Sequence, residues 1–352
     1  MKRTDVNNGT AMPVSEETKA ISTFARLLGR HIDGDTGGLL GTLHIEPRLL
    51  ADADESISRA QLAMALNVRL FADLLKRVPT AARLVAQARE TGSTIVFDHG
   101  ALRTIDGPTG GLPSGQRAFA RLLEPLGYHV GGVYPLPRLT MTGRAYVHRD
   151  FPEAIPQFFV SELHVDQLPP EAQAAAQRVF GGSRDPIDDE ATQALEQLSR
   201  EGALPMERAI RLLDTLVSTF ARQHPEPALS DYETLHAHSK EAAWIATEGN
   251  AFNHATTRVA DVDVLAEQLK AQGYAMKDAV EISANGRVRQ TAILADKITR
   301  RFRLSNGGTV EREVPGSFYE FISRDVDPAS GTLDLTFDSG NATGIFAVTR
   351  SA

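Results

Sequence analysis

Apolar residues recur at helical spacing in the first quarter of the chain. Between Glu16 and Arg30 they include Phe24 and Leu27, and a second amphipathic run covers Ser58 to Val78. The dozen residues ahead of these runs are rich in Asn, Thr and Gly, which is typical of disordered segments. The pattern predicts that residues 1–90 form a disordered start followed by packing helices.

Strand-like composition begins at residue 91. Ser93 to Phe97 is a β-branched and aromatic run that leads into His99, and a loop rich in Gly and Pro follows. Gln116 to Leu126 has helical periodicity and ends at a Gly-Tyr pair. Three extended runs come next: Val130 to Tyr134, Arg138 to His148 and Gln157 to Val165. This order predicts one β-α-β-β-β unit over residues 91–168.

Helical periodicity returns in the middle of the chain. Two consecutive prolines close the last strand, and proline suits the first turn of a helix. Three helical stretches follow: Pro170 to Phe180, Asp188 to Arg200 and Met206 to Gln223. Residues 169–248 are therefore predicted to be a helical insertion between two β-rich parts.

The order of strand, helix and strands recurs from residue 249. Ala251 to Val259 is strand-like and Val262 to Gln272 is an amphipathic helix. Further extended runs are Asp278 to Ser283, Gln290 to Leu294, Ile298 to Leu304, Gly316 to Ser323, Leu333 to Phe337 and Thr343 to Val348. His99 and His254 are each followed four residues later by an arginine, and each precedes a helix that ends in Gly-Tyr.

This repeat predicts an α+β fold. A duplicated β-α-β-β-β unit would form a curled sheet around a metal site, with added N-terminal and central helices. Residues 249–352 would be the second unit, with C-terminal strands, of one integrated globular protein.

Composition narrows the chemistry. The 352 residues include no cysteine, and the formal net charge is -8. Without cysteine, any metal must be held by His and carboxylate side chains. The acidic balance disfavours nucleic acid and anionic membranes as partners. The polar N-terminus lacks the apolar core of a signal peptide, and no apolar stretch approaches the roughly 20 residues of a membrane helix. A cytoplasmic location is the default expectation.

Three side chains are candidates for one metal site. His99 and His254 hold equivalent positions in the two units, so they can face one another across a shared cavity. Glu320 lies in an apolar strand, where a buried carboxylate needs a partner. Two imidazoles and one carboxylate leave coordination positions open, as non-haem Fe(II) oxygenases require. We predict that these residues hold Fe(II), for which Zn, Ni or Co can substitute in a preparation.

Arg103 and Arg258 each lie four residues after one of the two histidines. In an extended strand this even spacing places each arginine on the same face as its histidine. A buried Arg103 or Arg258 guanidinium would bind a carboxylate through two parallel hydrogen bonds. We therefore expect an acidic small-molecule substrate.

Each candidate also has an ordinary structural interpretation. His99 could be a capping or surface residue, His254 a hydrogen-bonded core histidine, and Glu320 the partner of an internal arginine. An alignment of Phe158-Phe159 with Phe318-Tyr319 places Val160 opposite Glu320, which would explain three protein ligands rather than four.

A competing cluster consists of Glu162, His164 and Asp166, which alternate along one predicted strand. Three ligands from the same face of one strand rarely converge on one ion. We predict a supporting or surface role for this cluster.

Three motifs together resemble those of one family. They are Phe97-Asp98-His99-Gly100-Ala101-Leu102-Arg103-Thr104, Glu248-Gly249-Asn250-Ala251-Phe252-Asn253-His254 and Gly316-Ser317-Phe318-Tyr319-Glu320-Phe321. The chain resembles the 2-oxoadipate dioxygenase/decarboxylase family, also called D-2-hydroxyglutarate synthase, from about Phe24 to the C-terminus. The resemblance implies a vicinal-oxygen-chelate-like, or glyoxalase-like, fold.

The resemblance also implies the roles of individual residues. Fe(II) would be held by His99, His254 and Glu320. Arg103 would bind the substrate carboxylate, and both histidines would contact the substrate as well. The loop Ser339 to Asn341 is expected to offer backbone contacts to the distal carboxylate.

The implied reaction converts a 2-oxo diacid such as 2-oxoadipate, with O2, to 2-hydroxyglutarate and CO2 in lysine catabolism. Two alternatives stay open. One is a glyoxalase-like isomerase or lyase in which Zn(II) or Ni(II) acts as a Lewis acid. The other is a ligand-binding protein of the same fold without turnover. The oligomeric state is not predicted.

Overall fold

The computed structural model describes residues 23–29, 36–50 and 56–338. The first dozen residues, the strand expected from Thr343 to Val348 and the loop Ser339 to Asn341 lie outside this part. Residues 23–28, within the expected first helix, are helical and are called α1.

The N-terminal part is a helical layer that packs on the sheet. It contains α2 (Thr36–Thr42), α3 (Pro47–Leu50), a short strand β1 (Ser56–Ser58), α4 (Arg59–Arg77) and α5 (Pro79–Glu90). Ser58 starts α4 with a capping box, because its hydroxyl accepts from the backbone N–H of Gln61 while the Gln61 side chain accepts from the backbone N–H of Ser58. Pro79 occupies the first turn of α5, where its missing N–H costs nothing.

The first repeat contains one helix and four strands. In chain order these are β2 (Val96–Asp106), α6 (Arg117–Leu123), β3 (Tyr128–Leu136), β4 (Met141–His148) and β5 (Gln157–His164). β2 is buried over nearly its whole length. It therefore lacks the alternation of apolar and polar residues that marks a half-exposed strand.

The central insertion holds five helices and a short strand. They are α7 (Pro170–Phe180), α8 (Asp189–Glu201), β6 (Ala203–Pro205), α9 (Met206–Thr219), α10 (Leu229–His238) and α11 (Lys240–Glu248). β6 pairs with β1, and α9 packs on α4, so the insertion and the N-terminal layer are joined. The three predicted helical stretches correspond to α7, α8 and α9, and α10 and α11 were not among them.

The second repeat follows the same order. It contains β7 (Phe252–Arg258), α12 (Val262–Ala271), β8 (Glu281–Ile282), β9 (Val288–Ala292), a hairpin of β10 (Lys297–Arg303) and β11 (Thr309–Pro315), and β12 (Phe318–Arg324). The β10–β11 hairpin forms its own two-stranded sheet. Two short strands end the described part, β13 (Val326–Asp327) and β14 (Thr332–Leu333).

One eight-stranded sheet unites the two repeats, in the order β3-β4-β5-β2-β7-β12-β9-β8. Each half has the same pairing, with its first and last strands parallel and the others antiparallel. The halves meet where β2 and β7 pair antiparallel. This arrangement confirms the predicted fold class of a duplicated, curled sheet with added helices.

The register between the repeats corrects the short alignment. His99 pairs with Gln157 in the first half, and His254 pairs with Phe318 in the second. Two positions further on, Phe159 and Glu320 are equivalent. Phe159, and not Val160, therefore takes the position of Glu320 in the first repeat, which gives that half an apolar ring in place of a carboxylate.

Two β-bulges interrupt the central β2–β7 pair. The partners change from Phe97–Thr257 to His99–Thr256, so Asp98 is an extra residue on β2. They change again from Ala101–His254 to Leu102–Phe252, so Asn253 is an extra residue on β7. A bulge redirects the side chains beside it, and here each bulge lies directly before one histidine.

Several element boundaries differ from the predictions. β2 runs through His99 to Asp106, where a loop was expected. Residues Pro137–Leu139 form a 3-10 turn before β4, and the late strand expected at Leu333 to Phe337 is limited to β14. The division of the chain at residues 90, 168 and 248 stays a prediction. Across the described residues, every helix is too short or too polar to span a lipid bilayer.

Candidate metal centre

His99 lies on β2, directly after the first bulge. Its ring is buried, with 2% of the residue exposed. The Nδ1 atom lies 2.8 Å from Asp98 Oδ1, and the Nε2 atom lies 3.4 Å from Glu320 Oε2. Gly100 follows, and a Cβ there would lie 2.2 Å from the Phe252 ring. A residue without a side chain therefore lets Phe252 pack against the strand beside His99.

His254 and Glu320 lie on the neighbouring strands β7 and β12. His254 Nε2 is 3.4 Å from Glu320 Oε2. Thr256, which pairs with Glu320 in the sheet, donates its hydroxyl to the same oxygen at 2.6 Å. One ligand atom from each of His99, His254 and Glu320 lies within 4.8 Å of the other two. The structure thus brings the three predicted ligands together from three adjacent strands.

The donor set fits a divalent cation. Glu320 is fully buried, and its Oε1 atom lacks a hydrogen-bond partner among the residues that the structure describes. A buried carboxylate oxygen without a partner is costly, and a cation between the imidazoles and this carboxylate would satisfy it. Two imidazoles and one carboxylate suit Fe(II) and leave further coordination positions open. Their role as ligands stays a prediction.

Burial and neighbouring charges shift the pKa values of the three candidate ligands. Burial lowers the pKa of His254 to about 3, so its ring is neutral. Burial also disfavours a charged His99, but Asp98 and Glu320 together raise the pKa of this ring. Burial would raise the pKa of Glu320, yet the neighbouring histidines and Thr256 lower it on balance. A cation bound at this group would compete with protons for the same ligand atoms.

Asp98 stands behind His99 and is itself held by two arginines. Arg324 donates to both carboxylate oxygens at 3.0 to 3.2 Å, and Arg258 donates to Oδ2 at 3.0 Å. Burial opposes the charge of Asp98, but these cations and His99 hold its pKa well below the usual range. A carboxylate that accepts Nδ1–H fixes the ring so that Nε2 faces the cation.

A cavity opens beside the three side chains. Its wall is apolar at Ala101, Leu102, Phe159 and Phe337 and polar at Arg103, Ser161, Asn253, Gln290 and Asp338, and both histidines line it. The apolar part suits a methylene chain, and the polar part suits the charged end of a ligand.

Arg103 is the positively charged side chain among the described residues that line this cavity. It is 1% exposed, and its Cζ atom lies 5.0 Å from the centre of the Trp244 ring. Its Nη2 donates to Asn253 Oδ1 at 3.3 Å, and its backbone carbonyl accepts from Asn250. The guanidinium is thus positioned on the cavity wall, and its binding of a substrate carboxylate stays a prediction.

Residues Asp334–Asp338, here called the cover segment, lie across the cavity. The Phe337 ring is 4.9 Å from the His99 ring and 4.8 Å from the Phe159 ring. Its backbone N–H donates to the Tyr134 hydroxyl at 3.1 Å. Arg324 Nη1 donates to the carbonyls of Asp334 and Thr336. The arginine that holds Asp98 therefore also holds the cover segment.

The other candidates lie elsewhere. Arg258 points to Asp98 and to the Glu153 carbonyl, and not into the cavity as its even offset from His254 suggested. Its direction follows from the bulge at Asp98. Asp166 lies in the 3-10 turn Val165–Gln167, so the expected three-residue alternation along one strand was wrong.

The two other members of that cluster have separate partners. Glu162 accepts from Arg144 and from the backbone N–H of Gln116. His164 contacts Asp106 and Thr142. Glu162 therefore joins β5 to β4 and to the start of α6, and His164 joins β5 to β4 and β2.

Sequence reasoning missed several residues that build this centre. Asp98 and Asn253 were present in the motifs without a role, although each directly precedes a candidate ligand. Thr256, Arg324 and the cover segment were missed because their contacts join positions far apart in the chain. The repeat carried a signal for the first two, since a polar residue precedes histidine in both copies.

The curled duplicated sheet and its buried His-His-Glu group define this chain as a protein of the glyoxalase-like fold. A solved structure assigned to the glyoxalase superfamily, from Ralstonia eutropha JMP134, is 50% identical, with a TM-score of 0.86 over 90% of this chain and 98% of that one. The family model described as 2-oxoadipate dioxygenase/decarboxylase matches residues 63–331. The chain belongs to the 2-oxoadipate dioxygenase/decarboxylase family.

More distant relatives agree with this assignment. A chloroplastic/amyloplastic 2-oxoadipate dioxygenase/decarboxylase of Oryza sativa subsp. japonica is 25% identical over 308 residues, covering 79% of this chain and 76% of that protein. The solved Oryza sativa hydroxyglutarate synthase in complex with 2-oxoadipate has the same fold, with a TM-score of 0.65 and 20% identity over 83% of this chain and 93% of that one.

Proposed function

We propose that this protein is an Fe(II)-dependent dioxygenase that decarboxylates 2-oxoadipate. One 2-oxoadipate and one O2 would give one 2-hydroxyglutarate and one CO2. Loss of CO2 with oxidation of the keto carbon to a carboxylate, and hydroxylation of the neighbouring methylene, together supply the four electrons that reduce O2. No second organic substrate is needed.

The observation that carries the proposal is the position of the His-His-Glu group. Its three candidate ligand atoms lie close together, and its two histidines line a cavity that Arg103 also lines. A bound cation and a guanidinium in one cavity provide two anchors for a diacid. The 2-oxoadipate named with the rice structure is a ligand of this kind.

The side chains of this chain have distinct tasks in the reaction. His99 and His254 would present Nε2 to the metal because their Nδ1 atoms face Asp98 and Asn253. Glu320 would supply the anionic ligand. Arg103 would bind the carboxylate remote from the keto group. Fe(II), when bound, supplies the place where the 2-oxo acid and O2 meet and exchange electrons.

Phe337 and Phe159 would keep water away from the reacting groups. Their rings pack on each other and on the side of the cavity that contains His99. Exclusion of water protects a reactive centre from side reactions and strengthens the electrostatic contacts within it.

The decisive experiment follows both O2 and carbon. The protein loaded anaerobically with Fe(II) is offered 2-oxoadipate, and O2 consumption, CO2 and organic products are measured. We expect equal amounts of O2 consumed and CO2 released, with label from ¹⁸O2 in both the hydroxyl and the new carboxylate of 2-hydroxyglutarate. Product formation without O2 would exclude the proposal and favour a Lewis-acid reaction.

A further inference from the structure

The residue that precedes each histidine occupies the same structural position in the two repeats. Asp98 and Asn253 are the extra residues of the two bulges between β2 and β7. Each lies beside the Nδ1 atom of the following histidine, Asp98 at 2.8 Å and Asn253 at 3.3 Å. The two residues are therefore counterparts that orient the two candidate ligands.

Each counterpart also contacts an arginine of the other repeat. Asp98 accepts from Arg258, and Asn253 accepts from Arg103. These arginines are themselves equivalent, since each stands four residues after its histidine. The crossed contacts follow from the antiparallel pairing of β2 with β7, which brings the end of each strand beside the start of the other.

The two crossed contacts differ in charge. Asp98 is a carboxylate, so its contacts with Arg258 and Arg324 are ion pairs. Asn253 is a neutral amide and adds no negative charge beside Arg103. One half of the duplicated centre thus has a built-in anion, and the equivalent position of the other half has none.

The orientation of the Asn253 amide is fixed by its neighbours. A guanidinium only donates hydrogen bonds, so the atom that faces Arg103 must be the amide oxygen. The nitrogen, Nδ2, is then directed away from Arg103. It is buried and has no hydrogen-bond partner in the described part of the chain, while the residue lines the cavity. A buried donor of this kind calls for an acceptor.

We infer that Asn253 binds the substrate and selects for a diacid: its Nδ2 donates to the carboxylate that Arg103 binds. This inference rests on the proposed metal centre and substrate class. The replacement of a carboxylate by an amide in one repeat then decides which half of the cavity receives the anionic end of the ligand. It also explains why the Asn253 Nδ2 donor has no acceptor among the residues that the structure describes.

Asn253→Asp tests the inference because it has nearly the same shape and still offers an acceptor to His254. Co(II) serves as the metal probe, and binding is followed anaerobically by its visible absorption. 2-Oxoadipate and 2-oxohexanoate, which lacks the remote carboxylate, are then titrated into the Co(II)-loaded protein. In the wild type we expect preference for the diacid.

In Asn253→Asp we expect Co(II) affinity within about threefold of the wild type or tighter, since an anion beside His254 strengthens this ligand. The preference for 2-oxoadipate over 2-oxohexanoate should fall at least about 30-fold, because a new carboxylate competes for Arg103 and repels the ligand. Asn253→Ala, which adds no charge, should lower the preference about tenfold.

Asp98→Asn is the matched control. It makes the reverse exchange, from carboxylate to amide, at the counterpart position. Its Co(II) affinity should fall about 10- to 100-fold, while its preference for the diacid stays within threefold. The inference is overturned if the Asn253 variants that bind Co(II) prefer 2-oxoadipate over 2-oxohexanoate as strongly as the wild type does.

The outcome can be separated from that of the proposed reaction. A wild-type protein that shows diacid preference dependent on Asn253, but no turnover with Fe(II) and O2, would refute the reaction alone. Turnover of 2-oxoadipate together with unaltered preference in the Asn253 variants would refute the inference alone.

Discussion

At the scale of single residues, the candidate centre depends on buried polar atoms that lack ordinary partners. Glu320 is the clearest case, because one oxygen accepts from Thr256 and the other has no hydrogen-bond partner in the described part of the chain. The Oε1 atom therefore carries a desolvation cost that a bound cation would offset.

Glu320→Gln tests this interpretation. The amide keeps the shape but removes the charge, so we expect Co(II) affinity to fall at least about 100-fold, since one of three ligands is lost. Without metal, the variant should be as stable as the wild type or more stable. Metal content by mass spectrometry and thermal unfolding in EDTA measure both effects. Wild-type metal content in the variant would contradict the assignment of Glu320.

At the scale of elements, Arg324 joins three parts of the molecule. It projects from the end of β12, pairs with Asp98 on β2 and donates to two carbonyls of the cover segment. Its side chain is fully buried. A planar guanidinium can make all these contacts at once, whereas an ammonium group cannot.

Arg324→Lys should therefore loosen the cover segment while preserving a positive charge. We expect amide hydrogen exchange in a peptide containing Leu335–Asp338 to accelerate at least about tenfold, because local opening costs less when the anchoring bonds are lost. Arg289→Lys is the control, since Arg289 pairs with Asp325 outside the cavity. Equal exchange in the wild type and Arg324→Lys would show that the segment is held by other contacts.

His148, the last residue of β4, makes the stability of the protein depend on pH. Its Nε2–H donates to the Leu126 carbonyl, and its Nδ1 accepts from the backbone N–H groups of Asp150 and Phe151. Burial lowers the pKa of this ring to about 4, from 6.5 when unfolded. The unfolded chain then binds more protons between these two values, so stability must fall as the pH falls through that window.

We expect the free energy of unfolding to be about 2 kcal/mol lower at pH 5 than at pH 7 through His148 alone. His224, whose pKa burial also lowers to about 4, acts in the same direction. Urea unfolding at the two pH values measures the sum. His148→Gln, which does not titrate, should have a smaller pH dependence; an undiminished one would assign the effect to other groups.

Helices were predicted best from the sequence where one face is buried and the other is exposed. α7 was predicted to the residue, because its apolar positions recur regularly. α11 was missed because eight of its nine residues are buried, so no polar face marks a helical period. α10 was missed for the opposite reason, since it buries only Asp231 and Leu235.

The candidate site was predictable only as far as the repeat reached. His99 and His254 follow from equivalent positions, and Glu320 follows from a charge in an apolar strand. The bulges could not be predicted, because they arise from pairing between β2 and β7. They turn Arg258 towards Asp98, and they place Asp98 and Asn253 behind the histidines.

At the scale of the whole molecule, the His-His-Glu group joins the two repeats. His99 belongs to the first repeat, and His254 and Glu320 belong to the second. The candidate ligands therefore lie on both sides of the line where the half-sheets pair. A cation held by all three would link the halves in the folded state and would have no comparable site in the unfolded chain.

Metal binding should consequently stabilise the entire fold. At a free Co(II) concentration of 100 times the dissociation constant, we expect about 2.7 kcal/mol of added stability, which raises the midpoint of thermal unfolding by several degrees. EDTA should reverse the shift, and Glu320→Gln should show almost none. A shift of equal size in Glu320→Gln would mean that the cation binds elsewhere. That result would refute the proposal that one ion links the two repeats, and it would leave the pairing of β2 with β7 unaffected.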